Sequence, residues 1–529
     1  MLFTLAILLR FPLRLFLLTV ALLILFIFNS LGQRPVKYEM RGVWVASVVN
    51  LDFPSRKDLS AEEQQAEFIR LLDRHQKTGI NAVFVQVRPS GDALYPSFGV
   101  PFSEWLTGKQ GDLPRPYYDP LQFMIQEAHR RGMEFHAWFN PFRAVFNNRT
   151  ELSQTHIFRR RPEWFVRYGA QRMFDPGIPE ARNYVIKSIL EVVMQYDIDG
   201  VHLDDYFYPY PKPNAGAFPD DSTYRRYRLD SAQQLADWRR SNTNRFMRNL
   251  SNGIKEIKPW VKVGVSPFGV WRNQSDDPNG SPTRAGITTY DVLYADVRKW
   301  LQNGWLDYVV PQLYFSVGHR LAPYEKLLDW WGENAFGKHV YSGQSVFKIQ
   351  NSGDSAWNAP SEMPEHLRLS RQSEKVQGDV FFRSKILDQN PAGFRDSLMQ
   401  RFYLHRAFPP PMPWLDVSPP QPPEAFELTG YRKGILLEWQ NPNPTAPTSE
   451  SDQVRFVLVY RFLKGEEVDI RDVRHLRYVL DGRRTQFVDK AVTFKEKYIY
   501  VITFMDRLSN ESAPSLPLYI KYRKKYRKR

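Results

Sequence analysis

The sequence predicts a (β/α)8 barrel followed by a small all-β sandwich of the immunoglobulin-like type. Between residues 41 and 407 of the 529-residue chain, eight short β-rich runs alternate with helical patterns. Eight such units in one continuous stretch favour a closed barrel over an open sheet. Polar and aromatic residues cluster just after several of these runs, which is typical of barrel strands, whose carboxyl ends carry the active site. Beyond a proline-rich stretch, the pattern is one of short alternating strands alone.

The alternating pattern bounds eight strands and three of the helices. The predicted strands span residues 42–48, 82–87, 134–139, 200–203, 261–265, 308–313, 339–342 and 380–382. The predicted helices span residues 61–77, 120–131 and 180–196, and apolar residues recur at helical spacing in the third of them. Asp119-Pro120 is a typical helix start, and Gly132 is a typical helix end.

The chain divides into five predicted segments. They are a signal peptide or membrane anchor (1–32), the barrel (40–407), a stiff proline-rich linker (408–423), the sandwich (424–518) and a basic tail (519–529). Within the sandwich, strands are predicted at 435–439, 455–461 and 498–504. Trp439, the pair Tyr498 and Tyr500, and segment 506–514 make it resemble a fibronectin type III domain. Such a module suits docking to an envelope protein.

The amino-terminal segment predicts export from the cytoplasm. Arg10 and Arg14 precede a nearly unbroken apolar run over residues 15–28, and Ser30-Leu31-Gly32 then offers the small residues that a signal peptidase reads. The first interpretation is a cleavable signal peptide. The second is an uncleaved anchor, because residues 1–9 add apolar length. Both place the body of the protein outside the cytoplasm, in the periplasm or cell envelope.

The charge is concentrated at one end of the chain. The net charge is +15, and the last eleven residues carry seven Lys or Arg and no acid. The modest excess elsewhere does not predict a nucleic-acid partner. The tail either contacts anionic envelope polymer or lipid headgroups, or is a solvated end. The absence of cysteine excludes disulfides, thiolate metal sites and cysteine nucleophiles.

Six short motifs occur in order along the barrel. They are Met40-Arg41-Gly42-Val43-Trp44, Gln86-Val87-Arg88-Pro89, Trp138-Phe139-Asn140-Pro141, Gly200-Val201-His202-Leu203-Asp204-Asp205-Tyr206-Phe207-Tyr208-Pro209, Gly264-Val265-Ser266-Pro267-Phe268-Gly269 and Pro311-Gln312-Leu313-Tyr314. The set resembles the bacterial glycosyl-hydrolase-like 10 family. The resemblance implies an envelope glycosidase that acts on cell-wall glycan, in particular on peptidoglycan strands stripped of their stem peptides.

Glycoside hydrolysis needs a proton donor for the leaving oxygen and a nucleophile or base for the anomeric carbon. Among the predicted strand ends, only the fourth carries carboxylates, Asp204 and Asp205, side by side. This arrangement suits substrate-assisted cleavage, in which the substrate's own 2-acetamido oxygen is the nucleophile. One aspartate then orients the acetamido group and the other is the acid and base. The alternative is one catalytic aspartate beside a neighbour that caps the following loop or pairs with Arg88.

The remaining candidates are substrate-binding groups. Hydrogen bonds to sugar are predicted from Arg88, Asn140, Arg143 and Gln312. Stacking on sugar, with core or loop packing as the equal alternative, is predicted for Tyr206, Tyr208, Trp271 and Tyr314. His136 and His202 lie within strands and are interpreted as core histidines. No metal-ligand spacing is present, so the predicted chemistry needs no metal and no cofactor.

Two other functions remain open at this point. The first is a hydrolase of another polysaccharide or oligosaccharide. The second is a non-catalytic barrel that binds glycan, with the sandwich as its docking module; the adjacent acids argue against it, because a binder needs no acid at the bond.

Overall fold

A computed structural model describes residues 35–147, 149–431, 433–442 and 453–523. The predicted signal or anchor segment 1–32 and the end of the basic tail lie outside these ranges. In the described part of the chain, no helix is both long and apolar enough to cross a membrane.

Nine strands form one sheet of parallel neighbours. They are β1 (Met40–Val45), β2 (Ala82–Arg88), β3 (Glu134–Phe139), β7 (Gly200–Leu203), β8 (Lys262–Val265), β9 (Tyr308–Val309), β10 (His339–Val340), β11 (Ser342–Ser345) and β12 (Gly378–Phe382). Their order in the sheet is β10-β9-β8-β7-β3-β2-β1-β12-β11.

The two ends of this sheet meet, so the sheet is a barrel. Only Tyr341 separates β10 from β11, and the two therefore act as one interrupted seventh barrel strand. The first part pairs with β9 and the second with β12. An isolated bridge between Gln312 and Gly343 continues the pairing past β9. The predicted eight-stranded β/α barrel is confirmed.

Helices surround the barrel, and a small antiparallel sheet lies beside its carboxyl-terminal end. The helices are α1 (Ala61–Thr78), α2 (Glu104–Thr107), α3 (Pro120–Arg130), α4 (Pro179–Gln195), α5 (Asp221–Tyr227), α6 (Leu235–Ile257), α7 (Val297–Gln302), α8 (Tyr324–Glu333), α9 (Glu362–Gln372), α10 (Ser384–Asp388) and α11 (Phe394–Ser397). The small sheet contains β4 (Arg143–Val145), β5 (Phe165–Tyr168) and β6 (Gln171–Phe174), with β6 in the centre.

Local sequence signals set the ends of α1. Ser60 and Glu63 form a reciprocal capping box, in which each side chain accepts a hydrogen bond from the other residue's backbone N–H. Gly79 ends the helix at φ 93°, a left-handed conformation that favours glycine.

A line of hydrogen-bonded side chains runs through the barrel interior. Trp44 Nε1 lies 3.1 Å from His202 Nε2, and Tyr308 OH lies 3.2 Å from His202 Nδ1 and 2.8 Å from His136 Nδ1. Because indole N–H only donates, His202 Nε2 accepts and its Nδ1–H donates to Tyr308. Burial holds the pKa of His202 well below its usual range, which fits this neutral form. Both predicted core histidines thus lie inside the barrel.

The same line ends in a buried ion pair at the amino-terminal end of the barrel. His136 Nε2 lies 3.0 Å from Glu134 Oε2, and the Lys262 ammonium contacts the other carboxylate oxygen of Glu134. Burial alone would raise the pKa of Glu134, but Lys262 and His136 outweigh burial and hold it below its usual value. The pair lets two charges remain inside an apolar barrel.

The carboxyl-terminal part is an antiparallel sandwich, which confirms the predicted all-β region. Its strands are β13 (Glu424–Tyr431), β14 (Gly434–Gln440), β15 (Phe456–Leu463), β16 (Leu476–Asp481), β17 (Gln486–Asp489), β18 (Lys497–Met505) and β19 (Leu518–Lys521). One sheet has the order β13-β14-β17 and the other the order β16-β15-β18-β19. Trp439, Tyr498 and Tyr500 are buried in its core.

The sandwich packs against the amino-terminal end of the barrel, opposite the strand ends that carry the acids. Asp199, just before β7, accepts from Arg455 of the sandwich at 2.6 Å and contacts His129 at 2.8 Å. Glu511 of the sandwich contacts the ammonium of Lys37 at 2.5 Å and the hydroxyl of Tyr460 at 2.8 Å. Both contacts are largely buried, so the two domains are firmly joined.

Candidate active site

A cavity of about 270 Å³ lies at the carboxyl-terminal end of the barrel. Its walls come from the ends of several strands and the loops that follow them, which is where this fold places its active sites. The lining residues are Trp44, Ala46, Val48, Leu51, Gln86, Trp138, Arg143, Asp204, Asp205, Tyr206, Ser266, Gln312, Tyr314 and Phe382.

Asp204 and Asp205 both line this cavity. They follow β7 directly, and the chain leaves the regular strand at Leu203. In a strand, successive side chains would point to opposite faces; the turn after Leu203 aims both carboxylates inward instead. They are 3% and 4% exposed, and no other carboxylate contributes to the cavity lining of the described residues.

Asp204 is held by a relay of side-chain amides. Its Oδ2 accepts a hydrogen bond from Asn140 Nδ2 and a longer one, at 3.4 Å, from Trp138 Nε1. Gln86 Nε2 donates to Asn140 Oδ1 at 2.5 Å, and the backbone N–H groups of Ser47 and Val48 donate to Gln86 Oε1 at 3.0 Å. The backbone after β1 thereby fixes the orientation of both amides, and Asn140 must present a donor to the aspartate.

Asp205 has a different set of partners. The hydroxyl of Tyr210 donates to Asp205 Oδ2, and the side chain of Gln312 forms a second hydrogen bond with this carboxyl. Gln312 is itself held by a 3.0 Å bond from Nε2 to the backbone oxygen of Ser266. The two aspartates are therefore held by separate sets of partners.

Burial raises the pKa of both aspartates. Desolvation, together with the neighbouring charge of Asp205, raises the pKa of Asp204 to about 7, against the opposing effect of Arg143. Desolvation raises the pKa of Asp205 to about 6, although its bonds from Tyr210 and Gln312 favour the ionised form. Two carboxyl groups this close titrate as a pair. Between about pH 6 and about pH 7 the pair therefore holds about one proton, the state that acid–base catalysis requires.

Aromatic rings form much of the remaining wall. Trp44 and Trp138 form part of this wall. The rings of Tyr314 and Phe382 are stacked, with centroids 6.3 Å apart and an angle of 27° between the ring planes. Tyr206 stands at the rim and is 37% exposed. Flat apolar rings of this kind match the C–H faces of a pyranose, so the cavity suits about one sugar ring.

Of the ten predicted site residues, seven meet at the cavity. Six line it, and Asn140 contacts Asp204 from behind. The other three lie elsewhere. Arg88 packs against Tyr184 of α4, outside the barrel. Tyr208 is buried among Phe218 and Tyr294, and Trp271 stacks on Trp330 with ring centroids 5.8 Å apart.

Sequence reasoning did not select five further residues with an aromatic ring or a side-chain amide that the structure brings to the site. They are Trp44, Gln86, Trp138, Tyr210 and Phe382. Trp44, Gln86 and Trp138 belong to the motifs at the ends of β1, β2 and β3. An indole or amide side chain near the end of a barrel strand could have marked them as site residues. For Tyr210 and Phe382 the sequence carries no comparable signal.

Within the described ranges, no group of three or more His, Asp or Glu side chains is arranged to hold a metal ion.

Comparison with known proteins assigns this architecture to a family. The model of the family described as "Glycosyl hydrolase-like 10" matches residues 39–359, which include every residue of the cavity except Phe382. The chain belongs to the glycosyl hydrolase-like 10 family. It is a glycosidase, and its substrate is a glycan. The non-catalytic alternative is therefore set aside.

Two relatives match long stretches of this chain. Glycosyl hydrolase YngK of Bacillus subtilis (strain 168) is 44% identical over 510 residues, 96% of this chain and 97% of that protein. Glycosyl hydrolase DigH of Escherichia coli (strain K12) is 40% identical over 374 residues, 66% of this chain and 84% of that protein. The solved glycoside hydrolase domain of PgaB from Bordetella bronchiseptica has a TM-score of 0.42 at 13% identity, over 69% of this chain and 99% of that chain.

Proposed function

We propose that the enzyme cleaves the N-acetylated glycan strands of peptidoglycan outside the cytoplasm, by a substrate-assisted mechanism that uses Asp204 and Asp205. One observation carries the mechanism: two adjacent carboxylates share a cavity for about one sugar ring, and no other carboxylate among the described residues faces them. If the protein supplied both catalytic carboxylates and the acetamido group took no part, the second carboxylate would have to lie on the other side of the bound sugar ring.

The proposed reaction has two steps. In the first, the acetamido oxygen forms a bond to the anomeric carbon while the glycosidic C–O bond breaks. One aspartate accepts a hydrogen bond from the acetamido N–H, and the other gives its proton to the departing oxygen. In the second step, the aspartate that gave up its proton takes a proton from a water molecule. The oxygen of that water attacks the anomeric carbon and opens the cyclic intermediate. The acetamido group and the protonated acid are both regenerated.

Peptidoglycan suits this mechanism because both of its sugars carry a 2-acetamido group. The proposed export, by a cleaved or an anchored amino-terminal segment, would bring the enzyme to that polymer. We further propose that the sandwich is a fibronectin type III-like module that docks an envelope protein, because it lies away from the cavity.

Digestion of purified sacculi tests the substrate. We expect soluble glycan fragments only after an amidase has removed the stem peptides, and slow cleavage of chitooligosaccharides, which carry acetamido groups on every ring. Mass spectrometry of the products identifies them. Release of sugars from a polysaccharide without acetamido groups, with none from sacculi, would contradict both the substrate and the mechanism.

The pH dependence of the reaction tests the shared proton. Because burial raises the pKa of Asp204 to about 7 and that of Asp205 to about 6, the pair holds one proton between about pH 6 and about pH 7, loses it above and gains a second one below. Activity should therefore fall as the pH rises through about 7, and fall again at low pH, where both carboxyls are protonated. The measurement is kcat/KM on a soluble chitooligosaccharide from about pH 4 to about pH 9. Activity that persists undiminished at the alkaline limit would show that neither aspartate is the acid.

A further inference from the structure

Arg143 brings a positive charge into the cavity, and no direct ionic contact from the described part of the chain neutralises it. The side chain is 7% exposed and lines the cavity. Its Nε donates to the backbone oxygen of Pro89 at 2.8 Å. Its two terminal nitrogens make no hydrogen bond and no ion pair with the residues that the structure describes. An arginine this buried normally has an anionic or hydrogen-bonding partner, because desolvation of an isolated charge is costly.

The position of this guanidinium is fixed. Arg143 begins β4, whose pairing with β6 sets its backbone. The guanidinium carbon lies 5.5 Å from the ring centres of both Phe146 and Tyr206. With Nε bound to Pro89, the edge formed by the terminal nitrogens remains for an occupant of the cavity. A planar edge with two donors matches a carboxylate, which it can bind through both oxygens.

We propose that Arg143 binds a free carboxylate on the substrate and so directs the enzyme to an acidic amino sugar. This inference rests on the proposed function. In peptidoglycan, N-acetylmuramic acid carries a lactyl carboxylate on C3, next to the 2-acetamido group on C2. Arg143 and the aspartate pair line one cavity, so a single ring can present both groups to them.

On this proposal, the enzyme should prefer strands without stem peptides. A stem peptide converts the lactyl carboxylate into an amide, which is neutral and offers only one oxygen. Binding that amide leaves the arginine charge uncompensated in a buried site. The acidic ring would occupy the cavity beside the aspartates, so the bond that breaks is its own glycosidic bond. The products should therefore end in muramic acid at the reducing end.

Arg143 also acts on the aspartate pair through its charge, and this effect must be separated from substrate binding. A charge effect on the pair would be the same for acidic and neutral substrates. A contact with the substrate carboxylate would act on acidic substrates alone. The ratio of kcat/KM for two substrates that differ only at the carboxylate distinguishes the two.

The experiment compares two forms of one glycan. Amidase-treated strands carry free lactyl carboxylates, and the same strands coupled to methylamine carry neutral amides. The wild-type enzyme should prefer the free acid by on the order of 10- to 100-fold in kcat/KM. In Arg143→Gln this preference should fall to near one, and in Arg143→Lys it should remain in part. Reduction and mass spectrometry of the products should show muramitol at the reducing end.

Several outcomes would overturn the inference. Equal hydrolysis of the two glycans by the wild-type enzyme would do so without any variant, as would products that end in glucosamine. An equal loss on both glycans in Arg143→Gln would assign the arginine to the aspartate pair alone. If the wild-type enzyme cleaves chitooligosaccharides but neither glycan, the carboxylate site fails while the acetamido chemistry stands. If it cleaves none of the three, the proposed function fails with it.

Discussion

Replacing either Asp204 or Asp205 by asparagine should lower kcat/KM on stem-free glycan by about 10²- to 10⁴-fold, the range that general acid–base catalysis contributes. An asparagine at either position would keep the shape of the side chain but could neither hold the shared proton nor carry the charge. Hydrolysis is measured on glycan strands and on the p-nitrophenyl glycoside of N-acetylglucosamine. The variant that lacks the acid should recover on the aryl glycoside, because that leaving group needs no proton.

The other variant should stay slow on both substrates, because an asparagine orients the acetamido group poorly. Asp379→Asn is the matched control. Asp379 is also buried, and desolvation raises its pKa to about 7, but it bonds Gln344 and Ser370 away from the cavity. The activity of Asp379→Asn should stay close to that of the wild-type enzyme. Full activity in both Asp204→Asn and Asp205→Asn would end the proposed mechanism.

Lys262→Met should destabilise the protein by about 3–5 kcal/mol, because it leaves Glu134 buried without its ionic partner. Lys262 is 1% exposed and Glu134 is 5% exposed, so water cannot replace the lost ammonium. The free energy of unfolding is measured by urea denaturation, followed by circular dichroism. The lost charge also favours protonation of Glu134, so the destabilisation should shrink at acidic pH.

The double variant Lys262→Met/Glu134→Gln is the control for this effect. Removing both charges together should cost much less than removing the lysine alone, since a neutral pair has no buried charge to compensate. A double variant that is as unstable as the sum of two independent losses would show that packing around Lys262, and not the ion pair, carries the stability.

The barrel was predictable because eight short β-rich runs recur between residues 41 and 407, with helical patterns between them. Four predicted strands match the structure to within one residue, at β2, β3, β7 and β8. The sixth was predicted to reach residue 313 but ends at Val309. Pro311 has no N–H for the ladder, and Gln312 makes only isolated bridges. The break at Tyr341 and the small sheet of β4, β5 and β6 depend on contacts far apart in sequence.

The carboxylates of the site were predictable because they follow a strand directly. Arg88 shows the limit of that argument. Gln86 and Arg88 are two residues apart and would share a face in a regular strand. The pairing of β2 with β3 shifts register between them, so Gln86 enters the cavity and Arg88 packs outside. No local pattern in the sequence reveals that shift. The roles of Trp44 and Phe382 likewise depend on closure of the barrel, which brings β1 beside β12.

The ionic contact of Lys37 with Glu511 holds the segment that leads into β1 against the sandwich. The chain enters β1 at the end of the barrel that faces the sandwich. Tyr38 forms an isolated β-bridge with Phe408 at the same end. The catalytic mouth opens at the far end of the barrel. If residues before 35 tether the enzyme to a bilayer, the sandwich becomes a spacer and the mouth points away from the lipid. Under the proposed function, glycan strands would then reach the mouth from the wall side, without having to pass between the enzyme and the membrane.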